Sequence, residues 1–123
     1  MSRKNRAAAT VAELVAAFVD IAVRQGEALE YDDVATYNRL YPHMKSVVEE
    51  LKRRDGDQRK ALVPLYAHGN MQVRLAAARN TVAVAPQAAR DVLRAIRDSR
   101  WPPQALHAGM ALFALDEGIA KPT

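Results

Sequence analysis

The chain contains no cysteine. Disulfides and thiolate metal sites are thereby excluded, and nothing in the sequence calls for an oxidising compartment. Aromatic residues make up only 6% of the chain and Trp101 is the one tryptophan, so stacking platforms for nucleic-acid bases are scarce. No apolar run is long enough to span a bilayer. The basic start, Met1-Ser2-Arg3-Lys4-Asn5-Arg6, is followed by an apolar stretch, but Glu13 and Asp20 interrupt it. Its spacing is that of an amphipathic helix rather than a signal peptide. The serines are Ser2, Ser46 and Ser99, and none lies in a glycine-rich elbow. There is no phosphate-binding glycine loop. His43, His68 and His107 lie on different segments without metal-ligand spacing, and read as surface or turn residues. The sequence therefore offers no catalytic, cofactor or metal site, and a cytoplasmic, non-enzymatic protein is expected.

What remains is helical. Thr10-Val11-Ala12-Glu13 is a capping box, in which each end satisfies the other's free backbone N–H. It opens a first helix to about residue 28, with Leu14, Phe18, Ile21 and Ala22 on one face. The acidic group Glu30, Asp32, Asp33 fits the start of a second helix, where negative charge is favoured. Val34, Tyr37, Tyr41, Met44, Val48 and Leu51 draw one apolar stripe along it, and Pro42 predicts a kink near residues 38–42. Asp55-Gly56-Asp57 ends it. Further helices are expected over 58–67, 71–84, 86–98 and 103–117. Asn70 caps the fourth and Pro86 opens the fifth, while Gly118 closes the sixth. Asn80 falls on the inner face of the fourth helix and is expected to tie it to a neighbouring loop. No segment alternates as a half-buried strand would.

The stretch from Leu62 to Val84 is the most distinctive. An apolar segment is broken by His68-Gly69-Asn70, and a helix then opens with Val73-Arg74 and carries the small patch Ala76-Ala77-Ala78. Small residues at mid-helix let a neighbouring helix approach closely. Ala76-Ala77 and Ala108-Gly109 recur at an offset of 32 residues. Helix pairs that cannot bury their apolar faces alone stack on one another. The expected fold is all-α, a right-handed α-α superhelix with about six helices in three antiparallel pairs. Residues 1–9 read as a flexible basic segment, 10–118 as a single helical domain and 119–123 as a tail.

The segment 62–84 resembles a HEAT repeat, and 86–117 a weaker one. The whole chain resembles a family of small bacterial HEAT-like proteins known as a domain of unknown function. The residues carrying that likeness are Asn38-Arg39-Leu40-Tyr41, Glu50-Leu51, Pro64-Leu65-Tyr66, Val73-Arg74-Leu75, Ala83-Val84-Ala85-Pro86 and Leu115-Asp116-Glu117-Gly118. The resemblance implies an all-helical stack and supplies no catalytic residues. In the HEAT turn an acid and a proline are usual; His68-Gly69 stands there instead, which leaves Arg74 without its usual partner.

Charge is unevenly spread. The net charge is +4, yet residues 7–51 carry −5 and residues 52–100 carry +7. Arg90, Arg94 and Arg97 share a face of the fifth helix. With Arg74, Arg79 and Trp101 they form the candidate binding surface. The favoured function is protein binding, as an adaptor or immunity-type protein with an unidentified protein partner. The alternative is a nucleic-acid-associated protein using the basic segment. Arginines paired with Asp55, Asp57, Asp91 and Asp98 would favour the first. Helix one (Val11, Val15, Val23) and helix six (Leu106, Met110, Leu112, Phe113) have apolar arcs wider than one buried face needs, so a homodimer is expected.

Overall fold

A computed structural model of the chain describes residues 3–123, with side chains from Asn5 onward. Among them are six α-helices, one 3₁₀ helix and no strand. The helices are α1 (Arg3–Ala8), α2 (Val11–Glu30), α3 (Val34–Arg53), the 3₁₀ segment Gln58–Ala67, α4 (Met71–Arg79), α5 (Pro86–Ser99) and α6 (Gln104–Asp116). The described residues form two compact units, one up to Ala61 and one over Leu62–Thr123.

In the first unit α2 and α3 form a hairpin. The expected capping box is present: the Thr10 hydroxyl accepts from Glu13 N at 3.1 Å and Thr10 N donates to Glu13 Oε1 at 3.0 Å. Asp33 caps α3 by accepting from Thr36 N at 3.1 Å. Leu14, Phe18, Ile21 and Ala22 are buried, as their spacing requires. The helical assignment of α3 runs unbroken through Pro42.

The stripe on α3 is only half correct. Met44 and Leu51 are buried, joined by Val47, whereas Val34 and Tyr41 are mostly exposed. A heptad spacing drifts by about 20° per heptad against a straight helix, so the stripe leaves the packed face toward one end.

Residues 1–9, read as flexible, include a helical segment. Met1 and Ser2 lie outside the described residues, but Arg3–Ala8 is helical and Arg6 is buried. The Arg54 guanidinium holds this helix. Its Nη2 donates to the carbonyls of Arg6 at 3.1 Å, Ala7 at 3.4 Å and Ala9 at 2.7 Å. The last carbonyls of a helix have no intrahelical donor, so a cation placed there is favoured twice, by hydrogen bonds and by the helix dipole. Glu50 in turn accepts from Arg54 Nε at 2.7 Å.

In the second unit α4, α5 and α6 pack around Leu75, Ala78, Leu93, Ile96, Ala108 and Leu112. The alanine run of α4 is buried throughout Ala76, Ala77 and Ala78. Asn70 caps α4, as expected, by accepting from Val73 N at 3.1 Å. The helix then stops at Arg79 and not at 84. Side chains take its last carbonyls: Asn80 Nδ2 donates to Ala76 O at 2.8 Å and the Thr81 hydroxyl to Ala77 O at 2.7 Å. Such local bonds compete with helix continuation. Asn80 thus bonds its own helix and not a neighbouring loop. The buried Thr81 hydroxyl gives its one proton to Ala77, so the Tyr66 hydroxyl beside it is the donor to Thr81. Ala85 precedes Pro86 in non-helical backbone, and α5 begins at the proline.

Candidate interaction surface

The α6 helix follows Trp101-Pro102-Pro103, where prolines cost no helical hydrogen bond because the first N–H groups have no acceptor anyway. It ends where Gly118 takes a left-handed φ of 70° and Ile119 N donates back to Ala114 O at 2.9 Å. Its inward face is Gln104, Ala108 and Leu112, four residues apart. Gln104 Nε2 donates to the Gln72 Oε1 of α4 at 3.0 Å, which satisfies two buried amides with each other.

The opposite face is apolar as well. Leu106 is 66% exposed, Met110 60% and Phe113 61%. With Gly109 and the stem of Arg97 they line an open groove of about 580 Å³. A contiguous patch of large apolar side chains differs from scattered surface leucines, because it offers one surface that association can dehydrate together. Trp101, 63% exposed, lies in the turn just before the same helix.

Most of the arginines named from the sequence have partners within the chain. Arg74 donates to the His68 carbonyl at 2.7 Å and to Met71 Sδ at 3.3 Å, so the turn supplies by its backbone the acceptor its side chains lack. Arg90 pairs with Asp116 at 2.9 Å, Arg94 with Asp91 at 3.2 Å and Arg97 with Asp98 at 2.9 Å. Arg59, outside that set, pairs with Asp57 at 2.6 Å, and this bond holds the Asp57 carboxyl below its ordinary pKa. Arg79 is exposed near His107. The sequence marked Leu106, Met110 and Phe113 as an apolar arc but left them out of the candidate binding surface. The extra signal was their i, i+4, i+7 spacing, repeated beside an equally apolar inner face.

His107 is not the surface histidine its position suggested. It is half-buried, and its Nδ1 has no hydrogen-bond partner among the described residues. Burial, and then the charge of Arg79, hold its pKa below the ordinary 6.5. The folded chain therefore takes up this proton less readily than the unfolded chain. Stability is full above the unfolded pKa and falls as pH drops through it, until the folded pKa is passed. Urea midpoints across that window should fall more steeply for the parent than for His107→Gln, and parallel profiles would count against this.

Among the described residues no group of three or more His, Cys, Asp or Glu could hold a metal ion. No described helix is long and apolar enough to cross a membrane.

Comparisons with known proteins agree with this helical architecture. A family model described as "Domain of unknown function (DUF2019)" matches residues 12–116. No curated protein matches the chain. A solved structure, described as the crystal structure of the protein RPA1889 from Rhodopseudomonas palustris CGA009, is 50% identical, with a TM-score of 0.88. The match covers 93% of this chain and 94% of that one.

Proposed function

We propose that this chain, which belongs to the DUF2019 family, is a non-catalytic protein-binding module that docks its partner on the outer face of α6. The observation that carries the reading is the contiguous exposure of Leu106, Met110 and Phe113 around one groove. Large aromatic and aliphatic anchors surrounded by polar residues are what concentrates binding energy at protein interfaces. An adaptor or immunity-type role in the cytoplasm fits such a surface. The HEAT-like character of the helices belongs to the same proposal. Its support is Val73-Arg74 at the start of α4, with Arg74 reaching back to its own turn, and the buried alanine run behind it.

The alternative, nucleic-acid binding by residues 52–100, is weakened by the carboxylates beside Arg59, Arg90, Arg94 and Arg97. Phosphate contacts would have to compete with those pairs.

The test is affinity capture from the native cell with the tagged chain and with Phe113→Asp. Phe113 is exposed, so the variant keeps its fold, which circular dichroism checks. A partner retained by the parent and by Ala88→Asp on α5, but lost by Phe113→Asp, is the expected result. Equal capture by all three would refute the α6 site.

A further inference from the structure

We infer that the outer face of α6 is self-complementary and that a second copy of this chain docks on it in antiparallel order about a two-fold axis between Gly109 and Met110. This deepens the α6 docking reading and rests on it.

The spacing carries the inference. Leu106, Gly109, Met110 and Phe113 stand at i, i+3, i+4 and i+7, the seam of a packed helix pair. An axis at the centre of that seam sets Leu106 of one copy against Phe113 of the second, and Met110 against the gap at Gly109. Large residues then meet a large residue or a hole, and no two bulky side chains collide at the centre.

Gly109 is the second observation. A Cβ built there would sit 3.7 Å from Arg97 Cγ and 3.9 Å from Arg97 Cδ, which is ordinary contact. The chain's own packing would accept alanine. Glycine in a helix interior is less favourable than alanine. Packing within the chain therefore does not call for the small residue, and Met110 of a second copy is the side chain the symmetry would deliver to it.

Charge selects the antiparallel order. The end of α6 near Trp101 carries exposed Arg100, and the other end carries exposed Glu117, next to Asp116, which Arg90 already pairs. Parallel packing would set like charges together. Antiparallel packing brings the basic end of each copy to the acidic end of the other, and it opposes the two helix dipoles.

The cysteine-free chain allows a direct test on the chain itself. Leu106→Cys and Phe113→Cys chains are mixed at high micromolar concentration and treated with a short bis-maleimide. Mixed dimers should exceed those of either variant alone by severalfold. Met110→Cys, at the axis, should crosslink to itself far more than Ala88→Cys on the exposed side of α5. Light scattering of the parent should give twice the chain mass at the same concentration, and Phe113→Asp should return the monomer. A monomeric parent, or crosslinking no better than Ala88→Cys, overturns the second-copy inference. If Phe113→Asp nevertheless abolishes capture of a cellular protein, the α6 docking surface stands and only its occupant is wrong. If neither self-association nor capture depends on α6, both readings fall. Efficient Leu106→Cys self-crosslinking would mark a parallel pair and also overturn the antiparallel arrangement.

Discussion

Arg54→Ala should lower the unfolding free energy by about 3 kcal/mol, the lower end of what removing one partner of a buried ion pair costs. The Glu50 side chain is 10% exposed and that of Arg54 25%, so the pair is only lightly screened. Two losses add. The Glu50 carboxyl is left in a buried site, with only Arg53 at 3.7 Å on a mostly exposed stem. The carbonyls of Arg6, Ala7 and Ala9 lose their shared donor. Urea denaturation followed by circular dichroism gives the first effect. Hydrogen exchange at the α1 amides gives the second, since an unclamped six-residue helix cannot persist alone. Arg54→Lys should recover little, because an ammonium cannot fan its donors across a carboxylate and three carbonyls. Replacing the pair together, Glu50→Leu with Arg54→Met, should recover much of the loss, as no charge is then stranded. A shift below about 0.5 kcal/mol for Arg54→Ala, the level of an ordinary surface change, would show that the clamp is an exposed pair of no consequence.

Leu93→Ala should cost about 2–5 kcal/mol, through lost transfer energy and the cavity left behind. Leu93 is fully buried in the core of the second unit. The result should lie in the upper part of that range. Ala78 and Ala108 line the same core, and helices already in close approach through alanines have little room to move inward. Leu106→Ala, on the far side of α6, should by contrast leave the urea midpoint almost unchanged. Similar losses for Leu93→Ala and Leu106→Ala would mean that the two faces of α6 have been assigned the wrong way round.

What could be read from the sequence was local. The caps at Thr10, Asp33 and Asn70 are each formed between residues three apart, and Pro86 acts on its own neighbour. Most helix starts follow from such signals, whereas the end of α4 at Arg79 and the helix Arg3–Ala8 do not. What could not be read was long-range or directional. Arg6 and Arg54 are separated by 48 positions, and nothing near either one announces that a basic leader will be captured by a guanidinium. On α3 the apolar stripe has the right residues but the wrong pitch for its whole length. On α6 both faces are apolar, so periodicity cannot say which turns inward. That choice is made by size and polarity together: Ala108 permits close approach, and Gln104 finds Gln72 across the core. Arg74 was legible as a residue needing an acceptor, but its acceptor is a backbone carbonyl that side-chain patterns do not register.

The exposed Trp101 makes the chain its own optical probe. It is the only indole present and stands largely in water beside α6. Its fluorescence therefore carries one signal from one place, with no second indole to subtract. A contact that covers the turn before α6 would move that indole into a less polar surrounding and shift its emission to the blue. Unfolding elsewhere in the chain would leave an already hydrated ring nearly unchanged. Association that reaches this turn can thus be followed by titration in unlabelled protein, and told apart from loss of structure by light alone.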